Sequence, residues 1–186
     1  HRNPELIATL VEALEGLDIG NHHFPSAERA LLAERLVAVT PGMAYAVFAS
    51  GGGEAIDLAI KSARRATGRR RVVSIVGSYH GHTGLAIAAG DRGAAESFLA
   101  TGPDSDFPQI PFNDLDALED ALAGDPTAAV ILETIPATIG FPVPEPAYLS
   151  GVRDLCDQYG TLYIADEVQT GLGRSGSMWA VEAFGV

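Results

Sequence analysis

Leu162-Tyr163-Ile164-Ala165-Asp166-Glu167-Val168-Gln169-Thr170-Gly171 is an apolar run that ends on an acid and passes into a polar turn. In an α/β sheet that pattern puts a carboxylate at the carboxyl end of a buried strand, where such folds hold their ligands. A carboxylate there can keep a ring nitrogen protonated, bind a metal or act as a base, and the segments upstream favour the first. One absence weighs as much. The chain has a single lysine, Lys61, well removed from this strand in sequence.

The sequence around this strand alternates strand and helix patterns. Helical periodicity covers Pro4 to Leu14, with Leu6, Ile7, Leu10, Val11 and Leu14 on one face, and a second helix runs from an Ser26 N-cap to Val39. Tyr45 to Ala49 reads as a short strand feeding Ser50-Gly51-Gly52-Gly53-Glu54 and a helix with Ala55, Ile56, Ala59, Ile60 and Ala63 inward. Val72 to Val76 is a buried strand before a turn rich in glycine and histidine, and a loop with Pro103, Pro108 and Pro111 follows. Asn113 is expected to cap a helix, and Ala128 to Leu132 to form a strand ending at Glu133. A proline-rich irregular stretch, Thr134 to Pro146, precedes a helix to Tyr159 and the strand ending at Asp166. The order predicts a three-layer α/β/α fold with a mainly parallel sheet, and a single domain over residues 1–186.

Composition limits the function. The 186 residues carry 24 acids and 12 bases, a net charge of −12, which opposes a nucleic-acid or anionic-membrane surface. Arg69-Arg70-Arg71 reads as a solvated helix end. The lone Cys156 falls in a helical pattern as a buried hydrophobe and suits a reducing, cytoplasmic setting. No apolar run is long enough to span a bilayer and no signal peptide is visible. The chain opens on His1 rather than Met, and both ends read as cut from a longer chain.

Three constellations carry chemistry. The strand, glycines and helix of residues 45–66 form a candidate anion site, since backbone N–H groups approach closely there and the helix N-terminus adds partial positive charge. It is not a P-loop, because Lys61-Ser62 follows Ile60 inside the helix, and Ile56 breaks the dinucleotide pattern. Without a P-loop, Asp166-Glu167 does not read as the acid pair of an NTPase. Tyr79-His80-Gly81-His82 offers an aromatic and a donor beside a planar cofactor, and lacks the further ligands that would complete a metal set. Glu133 is expected beside Asp166 if their strands are neighbours. His22-His23 is uninformative.

Together these segments resemble the class III, pyridoxal-phosphate-dependent aminotransferases of fold type I. The resemblance is carried by Phe48-Ala49-Ser50-Gly51-Gly52-Gly53-Glu54-Ala55-Ile56-Asp57, Ala66-Thr67-Gly68-Arg69-Arg70, Ser78-Tyr79-His80-Gly81-His82-Thr83 and Val130-Ile131-Leu132-Glu133. It continues through Ile164-Ala165-Asp166-Glu167-Val168-Gln169-Thr170-Gly171-Leu172-Gly173-Arg174. It implies pyridoxal 5'-phosphate as cofactor, its phosphate on the Gly52 and Gly53 N–H groups and Tyr79 stacked on its ring. Asp166 would pair with the ring nitrogen and His80 would hydrogen-bond Asp166. Val168 would pack under the ring, Gln169 would reach the phenolic oxygen and Glu133 would line the site.

The sequence departs from the family in three places. Gly53 stands where the family usually has a hydroxyl residue. After Glu133, Pro136 and Thr138 stand where the family commonly carries a Gln and a second Glu, which leaves Thr138 as the candidate substrate contact. The family's Schiff-base lysine lies beyond Val186, and Lys61, spaced i, i+4 from Asp57, fits a solvated salt bridge instead. The chain is therefore expected to be the central part of a large cofactor-binding domain, inactive alone, from a homodimeric parent. That parent would move an amino group from an amine or amino acid to a 2-oxo acid. The alternatives are a decarboxylase, a racemase or epimerase, or an aminomutase on the same cofactor, and a truncated non-catalytic module.

Overall fold

The computed structural model describes residues 2–16, 24–98 and 106–186. Packing divides the chain into two compact units, His1–Val47 and Phe48–Val186. In the first, Asn3 Oδ1 accepts from the Glu5 N–H at 2.8 Å and starts α1 (Pro4–Gly16), with proline in the first helical position where its missing N–H costs nothing. None of its residues is buried. Ser26 caps α2 (Ala27–Ala38) by accepting from the Arg29 N–H at 3.3 Å.

The second unit holds a four-stranded sheet in the order β2-β1-β3-β4, parallel throughout. Its strands are β1 (Arg71–Ile75), β2 (Gln109–Ile110), β3 (Thr127–Glu133) and β4 (Leu162–Asp166). Helices α3 (Gly52–Thr67) and α4 (Gly84–Ala89) cover one face, where Ile56, Ile60, Val72, Ala129 and Ile131 pack together. Helices α6 (Leu115–Gly124) and α7 (Tyr148–Gln158) cover the other, over Val73, Ile75, Val130, Leu132, Leu149 and Val152. Those are the three layers that the alternating patterns predict. Strand alternation then decides where the acids go. Ile131 and Ile164 face the α3 side, so Glu133 and Asp166, two residues further along each strand, face it too. The β3–β4 register pairs Glu133 with Asp166.

Several expectations are corrected. Tyr45 to Ala49 is no strand: it has no ladder partner among the described residues, and Tyr45 and Val47 are largely exposed. A β-prone run becomes a strand only against an edge it can pair with. Asn113 sits at φ 63° with Oδ1 accepting from the Glu145 N–H, and Asp114 is the cap of α6. The buried stripe of α3 is Ile56, Ile60 and Ala63, whereas Ala55 is exposed. The arginine run is not a solvated helix end. Arg69 Nη1 donates to the carbonyls of Thr127, Tyr159 and Gly160, Arg71 to Ala121 O and Thr127 Oγ1, and Arg70 to Asp106. These side chains tie the amino-end loops of the sheet together.

Four elements carry no mark in the sequence reading. They are α4, α5 (Arg92–Ser97), the two-residue β2 between Pro108 and Pro111, and a 3-10 helix at Ala180–Phe184. Among the described residues no helix is long and apolar enough to cross a membrane. Cys156 lies buried on α7, and burial above all pushes its thiol up to about 12. The residues His22 and His23 lie outside the described residues.

Candidate functional site

The carboxyl ends of β3 and β4 open into a cavity of about 220 Å³. Asp166 forms its floor. Only 5% of the residue is exposed, its Oδ1 accepts from the Val168 N–H at 3.0 Å, and its Oδ2 lies 2.7 Å from His80 Nδ1. With the carboxylate ionised the imidazole is the donor in that pair. His80 is itself buried, and its Nε2 has no partner among the described residues. An anion in this position is costly without compensating cations or donors.

Glu133 stands beside Asp166 and has a different employment. Its Oε1 accepts from the Tyr79 N–H at 2.9 Å and its Oε2 from the Ala137 N–H at 3.3 Å. It thereby holds the loop after β1 and the loop after β3 against the sheet. Glu167, one residue past Asp166, points to the opposite face. There it accepts from Thr134 Oγ1 (2.9 Å), Thr170 Oγ1 (2.6 Å) and the Val181 N–H (2.8 Å). The acid pair that the sequence presents as a unit is split by the pleat.

The opposite wall is the N-terminus of α3. The first-turn amides of Gly52 and Gly53 have no intrahelical acceptor, so they are available to an anion. Ser50 donates from its N–H and its hydroxyl to Glu54 Oε2, both at 2.6 Å, and this holds the Glu54 carboxyl below the usual range. The glycines are required by space. A Cβ on Gly52 would stand 2.9 Å from Val168 Cγ1, and one on Gly81 (φ +117°) would stand 2.6 Å from Gly53 Cα.

Gly52, Gly53, Tyr79, His80, Glu133, Asp166, Val168 and Gln169, the eight cofactor-site candidates chosen from sequence, all line this one cavity. Tyr79 is half-exposed and meets His82 edge-on at 5.2 Å. Thr138 does not line it: its hydroxyl donates to the Gly77 carbonyl. Lys61 lies outside it, paired with Asp57 at 2.7 Å. Gly81, Ile135 and Thr170 are wall residues that the sequence reading missed. The glycine at least had a signal, a position between two histidines in a turn. His80 and His82 share no centre, and the described residues hold no group of three or more His, Cys, Asp or Glu side chains able to bind a metal.

A planar, phosphorylated, nitrogen-heterocyclic cofactor fits this donor set. It has free helix-terminal amides at one end, a buried carboxylate at the other, and an aromatic and a branched aliphatic side chain between. Comparison with known proteins agrees. The family model for class-III aminotransferases matches residues 1–186. The chain is 53% identical to an uncharacterized aminotransferase of Archaeoglobus fulgidus, over 100% of this chain and 43% of that protein. It is 37% identical to the acetylornithine aminotransferase of Methanosarcina mazei, over 100% of this chain and 47% of that one. The fold superposes with a TM-score of 0.92 on the taurine:2-oxoglutarate aminotransferase of Bifidobacterium kashiwanohense in complex with PLP and glutamate. Identity there is 31%, covering 100% of this chain and 47% of the other. The chain belongs to the class-III aminotransferase family. It spans less than half the length of the curated relatives it matches.

Proposed function

We propose that these residues are the central part of the cofactor-binding large domain of a pyridoxal-phosphate-dependent aminotransferase, in a chain longer than 186 residues. The reaction moves an amino group from an amine or amino acid to a 2-oxo acid. The parent is a cytoplasmic homodimer in this reading. The observation that carries it is the buried His80–Asp166 pair at 2.7 Å, facing free amides at the start of a helix.

Pyridoxal phosphate supplies an electron-withdrawing ring that accepts the electron pair left when a substrate C–H bond breaks. The residues of this chain hold and tune it. Gly52 and Gly53 amides would bind the phosphate, Tyr79 and Val168 would confine the ring, and Gln169 would donate to the phenolic oxygen. Asp166 would hold a proton on the ring nitrogen, and His80, with Nδ1 2.7 Å from Oδ2, would orient it. Glu133 sets the backbone that carries Tyr79.

The test is a single turnover. Full-length protein loaded with cofactor and given an α-amino acid donor, without acceptor, should release the matching 2-oxo acid in an amount equal to its active sites. Release of carbon dioxide, or return of racemised donor with no 2-oxo acid, would instead make it a decarboxylase or racemase.

A further inference from the structure

Thr83 stands at the N-cap of α4 with the extended backbone of a cap residue (φ −106°, ψ 143°), yet its hydroxyl does not cap the helix. A threonine there ordinarily accepts from an amide two or three residues on. One of those amides is taken. Leu85 N–H donates to Asp57 Oδ1 at 2.5 Å from the neighbouring α3, and a Cβ on Gly84 would stand 2.7 Å from either Asp57 oxygen. A carboxylate has taken over the capping, and the hydroxyl is released from it.

What lies beside the freed hydroxyl is Gly53. A Cβ built there would stand 2.9 Å from Thr83 Oγ1 and 3.5 Å from Gly81 Cα. The hydroxyl thus occupies the volume that a side chain on Gly53 would fill. Gly53 and Gly81 both wall the cavity, and Thr83, which abuts Gly53 but is not itself a wall residue, is exposed with no side-chain hydrogen bond among the described residues. A hydroxyl next to free first-turn amides is the donor that an anion cradle adds to its backbone N–H groups.

We propose that Thr83 supplies the side-chain hydroxyl of the phosphate cradle, donating from Oγ1 to an oxygen that the Gly52 and Gly53 amides hold. This rests on the reading of the cavity as a pyridoxal phosphate site. The test titrates the full-length apoprotein with pyridoxal phosphate and with pyridoxal, which lacks the phosphate. Wild type, Thr83→Val and Thr83→Ser are compared. A hydrogen bond to a charged group corresponds to about tenfold or more in affinity. Thr83→Val should lose that factor for pyridoxal phosphate and nothing for pyridoxal, Thr83→Ser should retain it, and melting temperatures should coincide because the hydroxyl caps nothing. An equal loss for both ligands, or no loss for either, would overturn the assignment. A wild type that binds neither ligand would overturn the cofactor reading beneath it.

Discussion

Asp166 and Glu167 are adjacent in the chain and do different work, because successive strand residues face opposite sides of a sheet. Asp166 meets the cavity, while Glu167 gathers two hydroxyls and an amide on the far face. Glu167→Leu would leave three donors without their acceptor, Thr134 among them fully buried. It should cost about 2–4 kcal/mol in urea denaturation, and Glu167→Gln, which keeps one acceptor oxygen, should cost less. Cys156 makes a second residue-scale claim. With its thiol pushed up to about 12 by burial, it should resist a thiol reagent at pH 8 until denaturant exposes it. Rapid modification of the folded protein would show that α7 opens or that the thiol is not buried. The place of Asp166 in the cavity could be read in the sequence, since few uses justify an acid at the end of an apolar run. That of Glu167 could not, since its partners come from residues 134, 170 and 181 and only the fold assembles them.

At the scale of elements, the contact of α3 with α4 and the turn before it shapes the glycine-walled end of the cavity. Gly81 is its tightest point: its backbone conformation favours glycine, and an added Cβ would press on Gly53 Cα. Gly81→Ala should cost about 1–3 kcal/mol from the backbone alone and should weaken pyridoxal phosphate binding by displacing the first turn of α3. Unchanged stability and affinity would mean that the contact relaxes freely. Asp57 joins the same two helices. Burial pushes its carboxyl up, but the donors Lys61 and Leu85 N–H outweigh that and hold it below the usual range. A folded-state value below the unfolded one stabilises the fold above about pH 4 and is lost as pH falls through the lowered value. Asp57→Asn should therefore lower the neutral plateau of the stability profile and flatten its acid limb. An unaltered acid limb would contradict this.

Long elements with strong periodicity, such as α3, β3 and α7, were legible in the sequence. The short ones were not. α4 and α5 have six residues each, too few for a repeating apolar face, and β2 is two residues between prolines. Tyr45 to Ala49 misled because its apolar run looks strand-like, and nothing local reports the missing partner.

The parallel order β2-β1-β3-β4 brings residues 52, 79, 80, 133, 166 and 168 to the carboxyl end of the sheet from distant parts of the chain. Family resemblance and strand-end logic converge on the same cavity, which is why the eight cofactor-site candidates meet there while Thr138 does not. Charge distribution, rather than net charge, bears on the proposed chemistry: the Asp166 carboxyl group is buried at the cavity floor, where a ring nitrogen would sit in this reading, and a helix start faces it. The central claim is that Asp166 keeps that nitrogen protonated. The direct measurement is the nitrogen-15 resonance of ring-labelled pyridoxal phosphate bound to the full-length protein at neutral pH. The account predicts a protonated ring nitrogen in the wild type and an unprotonated one in Asp166→Asn. An unprotonated nitrogen in the wild type, or a protonated one that survives the substitution, would contradict it.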